Sequence, residues 1–412
     1  MQILLTPVDT FFFRGHKSLG PGEDSAVTGI FPPRPGTVYG ALRSAFINKH
    51  SVLYAFYQGE DPELQKWMGT PDQHGAFALK GVFLYDGREP VLPLPLDYQV
   101  VNETAEDGRV ERAYPLQLYP GEPAYTSHGE KWHLYGVKEE KSESAEGAFL
   151  PLSQWKEELM EPQGVAVQRL DSWLVPEQKL GISRDWLRRS VIEGMIYQLE
   201  MQRFLPAQNG GVPGLLALCR AAPGFGDIPY LRLGGKNRPW HVHVLESSDP
   251  LFTTSEREKL ADQIRASQLA RVVFLTPAIW DGGAISSRYF DSQGHFCPGP
   301  DLAFKVRAAA IGRPVLIGGW DLAHRRPKPR QRAIPAGSVL YLEVPAEKVH
   351  QFIDAVLGRG AFEVDAWTGY KAMAIPMAVY ESAAIGGPVD VQDVLDLKVE
   401  AYQSELNKLI GI

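Results

Sequence analysis

A chain of 412 residues that is 44% hydrophobic and 22% charged can bury a sizeable core and divides most naturally into two domains. Its formal charge of −7 argues against a free-standing protein that holds nucleic acid by its overall field and does not exclude a local basic groove. Two cysteines, Cys219 and Cys297, exclude a disulfide framework and a four-ligand cysteine zinc site, so a reducing, cytoplasmic compartment is expected, with no metal and no cofactor.

The opening MQILLTPVDTFFFRG lacks a basic leader and a long apolar run, and no stretch reaches the roughly 18 uninterrupted apolar residues of a membrane span. Neither a signal peptide nor a membrane partner is expected. Residues 3–14, ILLTPVDTFFFR, predict a strand with Pro7 at an edge or bulge. A Gly/Pro/Asp-rich loop follows to Pro35. A helix then opens at Gly36–Thr37, with Thr37 as cap and Val38, Leu42, Ala45 and Phe46 at helical spacing. AFALKGVFLYDG and EPVLPLPLDY predict two strands about the turn Asp86–Gly87. Strand, helix, strand, strand is three quarters of a βαββαβ unit.

Residues 101–165 are polar and Gly/Glu-rich and read as insertions or mobile loops. The stretch 191–204 suits helix or strand, and Gly194 favours a hairpin arm over 179–204. IPYLRLGGKNRPWHVHV predicts strands about a Gly-rich turn, and LFTTSEREKLADQIRAS a helix capped by Thr254 or Ser255. RVVFLTPAIW (271–280) predicts an apolar strand. Its Leu275-Thr276-Pro277 echoes Leu5-Thr6-Pro7, as a duplicated fold would. The last third reads as strands FKVRAAAIG and RPVLIGGWDLA, a basic loop HRRPKPRQR, a strand GSVLYLEV and a helix PAEKVHQFIDAVL. A Gly-rich turn and an amphipathic C-terminal helix follow.

Four clusters carry candidate binding chemistry. Arg14, Gly15, Lys17, Arg34 and Arg43 surround a helix start at which Gly36 and Gly40 allow close backbone approach, so the region reads as a phosphate clamp or as a connector with solvated charges. LGGKNRPW, with Gly235, Lys236 and Arg238, reads as a phosphate cradle or as a tight hairpin turn. Arg325, Arg326, Lys328, Arg330 and Arg332 lie in nine residues without an acid, which points to an anionic partner. Arg184, Arg188 and Arg189 flank Trp186, a pattern for base stacking with phosphate pairing or for a core Trp among surface arginines. No HExxH, GxSxG, P-loop or CxxC pattern is present, so no catalytic residue is assigned. His241 and His243, two apart on a strand, lack further ligands for a metal.

VDTFFFRGHKSL, FPPRPGTVYGALRSAF, KLGISRD with GMIY, GGWDLA, RPKPRQRAIPAGSVLYLEV and GRGAFE occur in that order between about residues 5 and 375. Together they resemble the RAMP-superfamily subunit of type III-B CRISPR (Cmr) effectors that caps the 5′ handle of the guide RNA (crRNA). That resemblance implies an α+β chain of two ferredoxin-like (RRM-like, βαββαβ) domains, 1–245 and 246–412, with long insertions and a cleft between them. It implies crRNA binding without cleavage, contacts from Arg14, Gly15, Lys17, Arg34, Arg43, Arg184 and the turn Gly358–Gly360, and docking to the large polymerase/cyclase-domain subunit and the adjacent backbone subunit. The loop at 233–238 departs from the family's acidic Gly-rich turn. The alternative is a metal-independent RAMP-type endoribonuclease that processes guide precursors, with His16 as general base.

Overall fold

The computed structural model describes residues 1–15, 26–27, 29–70, 73–105, 108–120, 132–185, 187–207, 210–245, 251–279, 289–299, 302–321, 326–357 and 380–395, with 378, 398–399, 401–402 and 404. The first half carries β1 (Gln2–Pro7), β2 (Ala26–Val27), β3 (Ala78–Tyr85), β4 (Pro90–Pro93), β5 (Tyr98–Ala105), β6 (Gly108–Pro115), β7 (Gln117–Pro120), β8 (Trp132–Tyr135), β9 (Ser142–Glu143) and β10 (Ala148–Pro151). Then come β11 (Val165–Ala166), β12 (Gln168–Arg169), β13 (Leu174–Arg184), β14 (Val191–Phe204), β15 (Gly214–Ala221), β16 (Tyr230–Arg232) and β17 (Pro239–Leu245). The second half carries β18 (Leu269–Val273), β19 (Ala278–Ile279), β20 (Phe296–Gly299), β21 (Leu302–Ala310), β22 (Val315–Asp321), β23 (Arg326–Ile334) and β24 (Val339–Glu343). The helices are α1 (Pro35–His50), α2 (Leu53–Gln58), α3 (Pro62–Met68), α4 (Leu152–Met160), α5 (Thr254–Ser267) and α6 (Val349–Val356), with a short helical segment at Val391–Leu395.

β1 is central. Ile3 and Leu5 are fully buried on one face while Gln2 and Thr6 are buried on the other, so both sides of the strand are covered. It pairs antiparallel with β15 and β17 inside an eight-stranded sheet ordered β12-β10-β4-β3-β15-β1-β17-β16. α1 links β1 to β3, and β15 lies between those two strands. The helix that a βαββαβ unit would place before its last strand is replaced at 222–238 by β16 and one 3-10 turn. α1 packs through Val38, Leu42, Phe46 and Ile47, close to the predicted spacing. It starts earlier than predicted because Pro35, with φ preset for a helix, occupies its first turn and Arg34 becomes the cap residue.

The polar stretch 101–165 is more ordered than its composition predicts. β5 and β6 form a hairpin whose paired Val100 and Ala113 turn into the core while Val101 is buried on the other face, and β10 joins the main sheet at β4. Its apolar residues build a second core on the opposite sheet face from α1, with Trp155, Leu216 and Leu218. The stretch 191–204 is strand, pairing with β13 as a long hairpin.

In the second half β18, β24, β21 and β20 form one sheet, covered by α5 and α6 around Phe304, Leu342 and Phe352. β19, β23 and β22 form a separate three-stranded sheet. The predicted strand over 3–14 stops at Pro7, because Phe11 and Phe13 leave the sheet for an aromatic cluster with Phe31, Phe204 and Trp240. The strand predicted over 271–280 breaks after Val273. Leu275–Pro277 therefore lies between β18 and β19, whereas Leu5–Pro7 lies inside β1, and the echo marks no equivalent position. α5 is capped by Thr253, one residue before the expected pair, through a capping box with Glu256.

A buried polar contact joins the halves. Arg271 of β18 donates twice to Asp97, which is 1% exposed, and Tyr341 of β24 donates to the same carboxylate at 2.7 Å. Burial pulls the Arg271 guanidinium down, but the facing Asp97 outweighs it and holds the pKa above the ordinary value. Beside it, Leu96 N–H donates to Gly337 O at 2.8 Å. Gly337 (φ +87°) leaves no room there, since a Cβ would come within 2.6 Å of Leu94 O.

Candidate nucleic-acid interface

α1 has a second face. Gly36, Thr37, Gly40, Ala41, Ser44 and Asn48 are small or polar and look onto an open groove of about 1550 Å³. An added Cβ at Gly36 or Gly40 would meet nothing within 4 Å, so internal packing does not demand glycine at either position. Glycine inside a helix costs about 1 kcal/mol relative to alanine, which leaves close approach of something external as the physical use of Gly40. No acidic residue sits in the first turn of α1 and no side chain caps it, so the positive end of the helix dipole is uncompensated at the groove.

The facing wall comes from the second half. β22 and β23 pair in register at Leu316↔Arg332 and Ile317↔Gln331, then at Gly319↔Lys328. Gly318 therefore faces two residues, Pro329 and Arg330, which is a bulge. Without it, alternation would put Arg326, Lys328, Arg330 and Arg332 on one face. With it, Lys328 lines the groove with Ile317 and Gln331, while Arg332 follows Leu316 to the other side. Arg326, two residues from Lys328, shares its face. From Arg326 on, the stretch read as a basic loop is thus part of the strand β23, exposed from Arg326 to Arg332, for the prolines fall where the ladder tolerates them. Arg34 holds this wall to α1. Its guanidinium donates to Gly318 O at 2.9 Å and Leu316 O at 2.6 Å, and burial lowers its pKa without removing its charge.

The floor is the edge strand β16 and the turn after it. Tyr230 and Arg232 are exposed while Leu231 and Leu233 are buried. Arg34, Lys49, Arg232 and Lys328 line the groove, and its lining among the described residues contains no carboxylate. Four cations without a counter-charge, in a chain of net charge −7, concentrate positive potential in one place.

The structure separates the sequence-based candidates. Arg34 and Lys328 meet in the groove. Arg43 does not: it donates to Met68 O at 2.6 Å and Gly69 O at 3.3 Å and lies over the Phe56 ring, so its task is to hold the end of α3. Gly235 gives its N–H to Phe12 O at 2.7 Å, and a Cβ there would lie 2.8 Å from the Phe12 ring, which is the hairpin-turn reading rather than an open phosphate cradle. Arg238 pairs with Asp9 at 3.1 Å, and Lys236 is exposed with φ 59°. Arg14 is exposed at a bridge to Gly29, with Gly15 next to it. Arg330 packs its stem on Gly318 at the bulge. Arg184 is described in its backbone alone, at the end of β13. Lys17, His16, Trp186, Arg325, Gly358 and Gly360 lie outside the described residues. Sequence reasoning missed Lys49, Tyr230 and Arg232. For Lys49 the signal was the four-residue spacing from Thr37, Ala41 and Ala45 along α1; for Arg232 it was the outward alternation in IPYLRL.

Among the described residues, no cluster of His, Cys, Asp or Glu is arranged to hold a metal, and no helix is long and apolar enough to cross a membrane.

Residues 3–372 match the family model described as CRISPR-associated protein (Cas_Cmr3). No curated protein matches the chain. Among solved structures it is similar to a chain of the type III-B Cmr-beta complex bound to cognate target RNA, at 16% identity and TM-score 0.46, covering 86% of this chain and 89% of that one. A second Cmr-beta structure, bound to cognate target RNA and AMPPnP, gives 16% and 0.45, covering 86% and 88%. A chain of the Csm3–Csm4 subcomplex from a type III-A interference complex gives 10% and 0.32, covering 84% and 97%. These likenesses are too distant to place side chains.

Proposed function

Because the chain belongs to the Cas_Cmr3 family of CRISPR-associated proteins, RAMP-type subunits of type III-B Cmr effectors, we propose that it binds the 5′ handle of the guide RNA without cutting it. The cytoplasmic complex then anchors the chain through the large polymerase/cyclase-domain subunit and the adjacent backbone subunit. The observation that carries this reading is the carboxylate-free groove beside the glycine-bearing face of α1. Phosphates approach the α1 backbone at Gly36 and Gly40, Lys49, Arg232 and Lys328 neutralise them, and Arg34 keeps the opposite wall in place. We read the strand order β17-β1-β15-β3 with α1 as a ferredoxin-like unit that has lost its second helix, which leaves the β16 edge open to the groove.

The test is fluorescence anisotropy of a labelled handle RNA across a salt series. Neutralising Lys49, Arg232 and Lys328 together should weaken binding by more than about tenfold at moderate salt and flatten the log–log salt slope by about 2, at ~0.7 per single-strand phosphate contact. Unchanged affinity and slope would remove the groove as the binding site. In the same preparation, repeat RNA incubated with EDTA should stay intact, and a discrete product would favour the ribonuclease alternative.

A further inference from the structure

Beyond the groove, β16 and β17 carry a row of rings on the sheet face away from α1. Trp240 and Val242 turn inward to the α1 core, so alternation sends His241 and His243 to the other face. The register sets Tyr230 directly opposite His241. Their ring centroids are 4.6 Å apart, and His241 and His243 lie 5.9 Å apart at 21°. Tyr230 is 55% exposed, His243 is exposed and His241 is half-buried. Thr6 Oγ1 lies 3.4 Å from His243 Nε2 and steadies the far end of the row. Arg232, opposite the exposed Pro239, sits at its near end.

We propose that Tyr230, His241 and His243 form a stacking platform for two successive unpaired RNA bases leaving the groove, a surface separate from the phosphate-binding wall. The proposal rests on the groove reading above, and the link between them is physical, because Tyr230 and Arg232 line the groove and also begin the ring row. Single-stranded RNA is recognised by unstacked bases laid on aromatic, imidazole and guanidinium planes, and this edge supplies all three within one continuous strip. Stacking tolerates any base, so the platform holds the chain's path without reading its sequence. The groove cations, Arg232 among them, neutralise phosphates, while Tyr230, His241 and His243 make no phosphate contact and so contribute little to the salt slope.

The experiment uses the full chain with handle RNAs bearing 2-aminopurine at one position at a time. Two adjacent positions should be quenched on binding. Tyr230→Ala, His241→Ala and His243→Ala together should relieve that quenching and weaken affinity about tenfold while leaving the salt slope unchanged, since no phosphate contact is lost. The ring-retaining Tyr230→Phe, His241→Phe, His243→Phe protein should keep both quenching and affinity, which separates a stacking role from a folding defect. Loss of quenching in that protein overturns the platform. So does retained quenching and affinity in the alanine protein while the groove variant binds weakly, a result that leaves the groove reading intact. If neither variant set alters binding, the groove reading fails along with the platform. If the alanine protein binds RNA normally but no longer joins the assembled effector, the row is a protein contact and the platform is overturned.

Discussion

Gly40 stands on the groove face of α1, where a methyl group would touch nothing of the protein within 4 Å. Gly40→Ala should therefore stabilise the chain by about 0.5–1 kcal/mol in denaturant unfolding, as removal of an unneeded helix glycine does. It should also weaken RNA binding by filling the space the backbone needs. A stabilised protein with undiminished RNA affinity would show that the glycine has no external use. Cys219 gives a pH signature. Burial pushes its thiol from the ordinary 9.0 up to about 11, so the folded state prefers the neutral thiol and the unfolded chain ionises first. Its stabilising contribution is intact below pH ~9 and lost as pH rises toward ~11. The fall in unfolding free energy over that window should be shallower in Cys219→Val, and equal slopes would refute the assignment. At this scale the sequence was only partly legible. Arg34 and Lys328 could be read as cations near a phosphate site, but nothing in the string distinguished Arg43, whose two carbonyl acceptors come from the fold of α3.

Elements were read better by type than by extent. α1 and α6 follow their apolar spacing, whereas Gly194 marks the β13–β14 hairpin, whose spacing suits helix or strand, and capping residues mark α5. β1 and β18 are shorter than their apolar runs, because Phe11 and Phe13, and the segment after Val273, serve packing outside the ladder. β23 defeated the reading for the opposite reason: two prolines and a run of cations look like a loop, and only pairing with β22 and β19 makes it strand. The bulge opposite Gly318 then decides which cations face the groove, and a bulge has no sequence signature at a non-glycine position. Arg34 should act as the tie that holds this ribbon against α1. Arg34→Gln is expected to raise amide hydrogen exchange across 315–334 and to speed RNA dissociation more than it slows association. Unaltered exchange in the ribbon would mean that the two hydrogen bonds do not hold it.

Across the molecule, two halves with separate sheets are fixed by the Asp97–Arg271–Tyr341 contact, and the groove has one wall from each half. Asp97→Ala would leave the Arg271 guanidinium, 17% exposed, without its counter-charge. It should cost about 3–5 kcal/mol, whereas a paired replacement by apolar residues should recover most of the loss. A loss under about 1 kcal/mol in denaturant unfolding would show the contact to be incidental. The acidic total and the basic groove are compatible, because the groove lining brings four cations together and, among the described residues, no carboxylate, so the local potential is opposite in sign to the total of −7. The most direct test is ultraviolet crosslinking of the assembled effector, with the crosslinked peptides mapped by mass spectrometry. Handle nucleotides should crosslink to residues 34–49, 228–243 and 317–331, and crosslinks confined to any other surface of the chain would contradict the account.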